Sequence, residues 1–175
     1  MSRQTWEETL SAAVADGTAV ANTTTEAIIF PNVTIPGNYL ADGRRLRVVA
    51  SGKHSTTATP TLIFRLRWGG VSGTVLALSP TFTTGSGVTN NMWYLELYLQ
   101  VRSNGSSGTL EVNGFAIVNG ATVPVQAMCV AGASAPAAVT VDLTSDTALA
   151  ITAQWGTASA SNTLTGVDYS IEAMN

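Results

Sequence analysis

Over residues 93–102 the chain alternates without interruption. Trp93, Leu95, Leu97, Leu99 and Val101 fall in one phase, and Tyr94, Glu96, Tyr98, Gln100 and Arg102 in the other. A period of two sends successive side chains to opposite faces of a pleated strand, so this segment reads as β and not as helix. Residues 61–68 repeat the pattern, with Leu62, Phe64, Leu66 and Trp68 opposite Arg65 and Arg67, until Gly69-Gly70 stops the strand.

The same rhythm, punctuated by turn residues, runs through the rest of the chain. Residues 23–30 form a β-rich block, followed by Pro31 and the Pro36-Gly37-Asn38 cluster; Asp42-Gly43 then launches a strand over 45–51. Residues 74–78 form a shorter strand ended by Pro80. In residues 109–118, Leu110 and Val112 lie in one phase and Phe115 and Ile117 in the other, which predicts a β-bulge at Asn113-Gly114. Asn119-Gly120 is a hairpin signal, and Pro124 predicts an edge position for the strand over 122–130. Three further strands are expected over 138–143, 148–155 and 163–173, the last with Val167, Tyr169 and Ile171 inward.

Many short strands with turns between them and no intervening helical pattern point to antiparallel pairing in a sandwich or barrel. A chain of 175 residues suits one such domain. The expected fold is an all-β, antiparallel jelly-roll sandwich of about eight to ten strands, spanning residues 23–175. An immunoglobulin-like sandwich, which usually needs only about 100 residues, is the alternative. Residues 1–22 form a short N-terminal arm. Thr5 with Glu8 fits a capping box and Trp6, Leu10 and Val14 share a helical stripe, but an extended arm fits equally well. Trp6 needs cover, from its own domain or from a neighbouring subunit.

Composition narrows the chemistry. Charged residues make up only 11% of the chain, and the net charge of −3 does not suit a protein that neutralises nucleic-acid phosphates. Seven basic residues lie from Arg44 to Arg102 against the single acid Glu96, whereas five acids and no base follow Arg102. These opposite charges can meet within a monomer or across a subunit interface. Cys129 stands alone, so no intrachain disulfide forms, and its apolar neighbours mark it as a buried hydrophobe. No secretory signal and no apolar run of about 20 residues is present, which predicts synthesis in the cytoplasm without a membrane span and leaves the sequons at Asn22, Asn32 and Asn104 as chance matches.

Candidate catalytic groups are few. His54, the only histidine, falls at the end of a predicted strand and reads as an exposed turn residue, with no Gly-x-Ser-x-Gly elbow elsewhere. One His and one Cys do not build a usual zinc site, and Asp142 with Asp146 lacks the ligand density of a calcium loop. The expectation is therefore a non-enzyme with no catalytic residue, cofactor or metal. Arg65 and Arg67 with Tyr94 and Tyr98 occupy the polar faces of the two clearest strands, and Arg and Tyr are enriched at interfaces. A solvated sheet face is the competing reading.

Several segments carry a resemblance. They are Trp6-Glu7-Glu8-Thr9-Leu10, Ile35-Pro36-Gly37-Asn38-Tyr39-Leu40 with Asp42-Gly43-Arg44 leading into residues 46–52, Thr59-Pro60-Thr61-Leu62, and Ile151-Thr152-Ala153-Gln154-Trp155 with Ser159-Ala160-Ser161-Asn162-Thr163. Over nearly its whole length the chain resembles structural proteins of tailed bacteriophages. The resemblance implies a component of the virion, made in the host cytoplasm. Small jelly-roll proteins there commonly act as trimeric decoration (cement) proteins on the capsid surface, with the major capsid protein as partner. The expected contacts are Trp6, Arg44, Arg45, Arg47, Arg65, Arg67, Tyr94 and Tyr98. A tail or fibre component that binds a receptor or carbohydrate through Tyr94 or Trp68 is the rival, and a cellular adhesion sandwich is a third reading. Fold analogy does not separate these.

Overall fold

The computed structural model describes residues 7–130 and 135–174. Among the described residues fourteen strands form, all pairs antiparallel, and the surplus over the expected number comes from two- to six-residue pieces. The arm and the strands that follow it are β1 (Glu7–Ala12), β2 (Val20–Ala21), β3 (Ala27–Ile28) and β4 (Val33–Ile35). Next come β5 (Arg45–Ser55), β6 (Thr61–Trp68), β7 (Thr74–Leu78), β8 (Phe82–Thr83) and β9 (Asn91–Ser103). The chain ends with β10 (Gly108–Val118), β11 (Val125–Cys129), β12 (Ala138–Val141), β13 (Thr147–Trp155) and β14 (Thr163–Met174).

Pairing order defines two layers. One runs β1-β14-β5-β9-β10 and the other β7-β6-β13 with β3 and β4 beside β13. The chain passes between layers from β2 to β3, from β4 to β5, from β5 to β6, from β8 to β9, from β12 to β13 and from β13 to β14, which is the alternation of a jelly roll with β10 added as a hairpin strand. At one side β11 pairs with β10 over five residues and touches β7 through the single pair Cys129–Leu78, joining the layers into one hydrogen-bonded network.

The inward phases of the two clearest strands meet across the core. Phe64 of β6 lies 5.2 Å from Trp93 of β9, ring centre to ring centre, although these strands are not neighbours in either layer. Each buried indole that donates a hydrogen bond does so to a backbone carbonyl: Trp68 to Asp142, Trp93 to Thr165 and Trp155 to Val20. These bonds let large aromatic surfaces be buried without an orphaned N–H. Cys129 is buried and unbridged, consistent with its apolar surroundings.

Several expectations need correction. The helical form of the arm does not occur over the described residues, because Glu7–Ala12 pairs with Met174–Ser170 as an added edge strand. Trp6 lies outside the described residues. His54 is not an exposed turn residue: β5 continues to Ser55, and His54 sits inward between Asn91 of β9 and Leu164 of β14, 1% exposed. Burial pushes its pKa below 6.5, an effect only partly offset by the backbone of Asn91. Val167 is exposed, since a bulge between Gly166 and Asp168 resets the phase of β14 so that Leu164, Tyr169, Ile171 and Ala173 face the core.

No phase change occurs at Asn113-Gly114 either. Leu110, Val112, Ala116 and Val118 share one buried phase with Gly114 between them, and the register shift lies instead at Thr109/Leu110. Gly114 is required by close approach, because a Cβ there would stand 2.0 Å from the Glu96 carbonyl oxygen on β9. Phe115 and Ile117 therefore face outward.

Candidate interaction surface

The outer face of the β14-β5-β9-β10 layer gathers half of the residues expected from sequence. Strand register sets three rows across it. Glu172, Arg47 and Tyr98 form the first, Ser170, Val49, Glu96 and Phe115 the second, and Asp168, Ser51, Tyr94 and Ile117 the third. Arg45 lies at one end of this face, and Val125 on β11 extends the third row.

Glu96 organises the centre. Its Oε1 accepts hydrogen bonds from Arg47 Nε at 3.0 Å and from the Tyr98 hydroxyl at 2.8 Å, and its Oε2 accepts one from the Tyr94 hydroxyl at 2.9 Å. Arg47 also reaches Glu172 at 3.5 Å, so part of the charge asymmetry along the chain is neutralised within the monomer. The Arg45 guanidinium stacks over the Tyr98 ring at 4.1 Å. Tyr94 and Phe115 form a tilted ring pair 6.1 Å apart. The hydrogen bond from Tyr98 holds the Glu96 carboxyl below 4.5 against the opposing effect of burial, with Tyr94 and Arg47 adding to it. The same bond is the main cause of the upward shift of the Tyr98 phenol, whereas for Tyr94 burial contributes most and Glu96 adds to it.

Arg65 and Arg67 do not join this face. They lie on the outside of the opposite layer and grip Glu26, Arg65 at 3.1 Å and Arg67 through both Nε and Nη2. Thr152 donates a further hydrogen bond to Glu26, and Arg67 Nη1 donates to the Gly73 carbonyl at 2.7 Å. Burial alone would raise the Glu26 carboxyl, but the hydrogen bonds from Arg67 and Thr152 and the charges of both arginines hold it below 4.5. This cluster is an internal tie and presents little of its charge to a partner. Arg44 is at a third place, its guanidinium 4.5 Å over the Tyr39 ring and its Nη1 donating to the Tyr39 carbonyl. The Tyr39 hydroxyl bonds to Glu8 and, through burial first and that bond second, is pushed up to about 12.

Trp68, named from sequence as a stacking surface for sugar, is 6% exposed and packed in the core, so that role is excluded by burial. Asp142 spends its carboxylate on Thr144 and Ser145, and Asp146 accepts from the Gly37 N–H. Both acids therefore hold the loop before β13. Among the described residues no three His, Cys, Asp or Glu side chains converge on a common point. A shallow groove of about 410 Å³ between residues 12–18 of the arm and residues 28–31 is walled by Phe30, Pro31 and Tyr169.

Sequence reasoning missed Glu96 as the organiser, and it missed Phe115 and Ile117 as outer-face residues. The signal for the second was present: reading Gly114 as an in-phase residue leaves Leu110, Val112, Ala116 and Val118 in one unbroken inward phase.

No family model matches the chain, and no curated protein matches it. Among solved structures it is similar to the CBM2 module of the evolved Dit of Lactobacillus casei BL23 phage J-1, at 10% identity. The alignment covers 99% of this chain and 98% of that one with a TM-score of 0.42, an overlap too low to carry an argument about fold or ligand.

Proposed function

We propose that this chain is a non-enzymatic structural protein of a tailed-bacteriophage particle that works by surface contact, decorating the assembled capsid as a trimer. The observation that carries this reading is the outer face centred on Glu96. Arg45, Arg47, Tyr94 and Tyr98 are held there in one hydrogen-bonded and stacked lattice around Glu96. Tyr and Arg are the side chains that most often anchor interfaces, and anchors already fixed by their neighbours lose less rotamer freedom on docking. A subunit that binds only the assembled shell adds its binding free energy to the stability of that shell.

The test is co-sedimentation with assembled capsids of the phage that encodes the chain. Arg47→Ala and Tyr98→Ala are each expected to lower retention, while a charge change at Asp146, away from this face, is expected to leave it intact. Undiminished retention of both variants would overturn the assignment of this face to capsid binding.

A second reading is favoured by the Tyr94–Phe115 ring pair, half-buried on the open side of the sheet. Such rings suit stacking on a sugar, as in a receptor-binding component of a tail. It requires a glycan-dependent affinity that Tyr94→Ala abolishes, which the cement reading does not require.

A further inference from the structure

Asn-Gly occurs at Asn104-Gly105, Asn113-Gly114 and Asn119-Gly120, and Asp-Gly at Asp16-Gly17 and Asp42-Gly43. In such a pair the glycine nitrogen can close on the side-chain carbonyl carbon before it, since no Cβ shields the approach. The fold sets the five pairs differently. Gly17 N–H donates to the Gly166 carbonyl and Gly43 N–H to the Val101 carbonyl, so both nitrogens are directed at other groups. Gly114 is held between β9 and β11, with no room for a Cβ beside the Glu96 carbonyl. The turn at Asn119-Gly120 is closed by Asn119 N–H on the Met92 carbonyl and Ala121 N–H on the Val118 carbonyl, and Asn91 Nδ2 lies 2.9 Å from where a Gly120 Cβ would stand. Gly105 is the one of the five whose N–H donates to the side chain of its own preceding residue, Asn104 Oδ1, at 2.7 Å. The loop between β9 and β10 is open there: Asn104 is exposed, and a Cβ at Gly105 would meet nothing within 4 Å. The backbone on either side is nevertheless fixed. Asp42 Oδ1 accepts the Asn104 N–H at 2.6 Å, and the Gly105 carbonyl accepts the N–H groups of Gly108 and Leu143 at 3.0 Å each.

We propose that Asn104-Gly105 is a site of spontaneous covalent modification, at which the folded protein converts Asn104 to aspartate and isoaspartate ahead of its other Asn-Gly pairs. Hydroxide removes the Gly105 N–H proton and leaves a lone pair along the former N–H direction, toward the Asn104 carboxamide. The bond from Gly105 N to Asn104 Cγ forms, the Cγ–Nδ2 bond breaks, and the amide nitrogen takes a proton from water and leaves as ammonia. The product is a five-membered succinimide. Water then opens the ring. Attack at Cγ gives aspartate, and attack at the main-chain carbonyl of residue 104 gives isoaspartate, whose backbone is one methylene longer. No oxidant or reductant takes part. Holding nucleophile and carboxamide together is what favours this pair, because a reaction between groups already in contact has little orientation left to acquire. Either product sets a new carboxylate beside that of Asp42, and the two repel. Isoaspartate also displaces the Gly105 carbonyl that anchors Leu143, so the tie between this loop and the segment before β13 loosens. The inference does not depend on the virion role.

Peptide mapping by mass spectrometry tests it, after incubation of the full chain at mildly alkaline pH, once folded and once in urea. In urea the three Asn-Gly pairs are expected to convert at similar rates, which supplies the reference for each. In the folded protein Asn104 is expected to convert about tenfold faster than Asn113 or Asn119. Labelling by an isoaspartyl methyltransferase should place the isoaspartate in the same peptide. Asn104→Gln, an exposed change whose longer side chain would have to close a six-membered ring, is expected to abolish the signal in this loop with an unchanged circular dichroism spectrum. Equal rates at the three pairs in the folded protein, faster conversion at Asn113 or Asn119, or an Asn104 that stays intact while the urea sample converts would each overturn the inference.

Discussion

Arg47 on β5 and the pair Arg65 and Arg67 on β6 occupy the same kind of position, an outward phase on a long antiparallel strand, yet they do different work. Arg65 and Arg67 are 15% and 16% exposed around a Glu26 carboxylate that is itself 14% exposed. Arg47 is 34% exposed and shares Glu96 with two tyrosines on an open face. The first group ties the segment bearing Glu26 to the sheet, and the second presents an ordered surface. Alternation specifies which side of a strand a residue takes. What covers that side is a matter for another part of the chain.

The largest way to test this contrast is Glu26→Gln. Two guanidiniums left with little solvent and no carboxylate are expected to lower the unfolding free energy by about 3 kcal/mol, read from urea denaturation. Glu96→Gln is expected to lower it by about 1 kcal/mol, since Arg47 remains partly solvated. Equal losses would mean that the two clusters are energetically alike.

Acid titration sharpens the comparison. Both carboxyls are held below 4.5, so in acid the unfolded chain takes up their protons first. The stability that they contribute is present above 4.5 and is lost as pH falls through the folded-state values. Glu26→Gln is expected to flatten the acid limb of the stability curve more than Glu96→Gln does. The smallest effect is Tyr98→Phe, about 0.5 kcal/mol, because Glu96 keeps Arg47 and Tyr94 and the ring stays beneath Arg45. A loss as large as that of Glu96→Gln would mean that Arg47 and Tyr94 do not hold the carboxylate once the Tyr98 hydroxyl is gone.

Much of the fold was legible. Strands β6 and β9 follow directly from alternation, and their inward residues Leu62, Phe64, Leu66, Trp93, Leu95 and Leu97 are buried as expected. Three readings fail, each for a local reason. Gly52 and Lys53 look like a strand end that leaves His54 in a turn, but pairing with Asn91 and Leu164 continues the strand. Reading Gly114 as a bulge turns Phe115 inward, whereas that glycine only allows β10 to lie close to β9. Aromatic character alone suits Trp68 to a ligand, but its place in the inward phase of β6 marks it as core.

The candidate contacts follow from residue type alone, and their grouping was not legible. Of the eight expected contacts, Arg45, Arg47, Tyr94 and Tyr98 share one face, Arg44 lies apart beside Tyr39, Arg65 and Arg67 are on the opposite layer, and Trp6 lies outside the described residues. Sequence by itself determined the all-β class, the phase of the long strands and the uncharged character of residues 68–95 and 113–141, because these depend on side-chain identity and a local period of two. Only the tertiary structure decided that Arg65 and Arg67 close on Glu26, that Glu96 gathers Arg47, Tyr94 and Tyr98, and that parts of the two uncharged stretches, in β9 and β10, lie side by side. Those arrangements depend on pairings between residues far apart in the chain, such as the 41 positions that separate Arg67 from Glu26, and a local period carries no information about which distant strand arrives alongside.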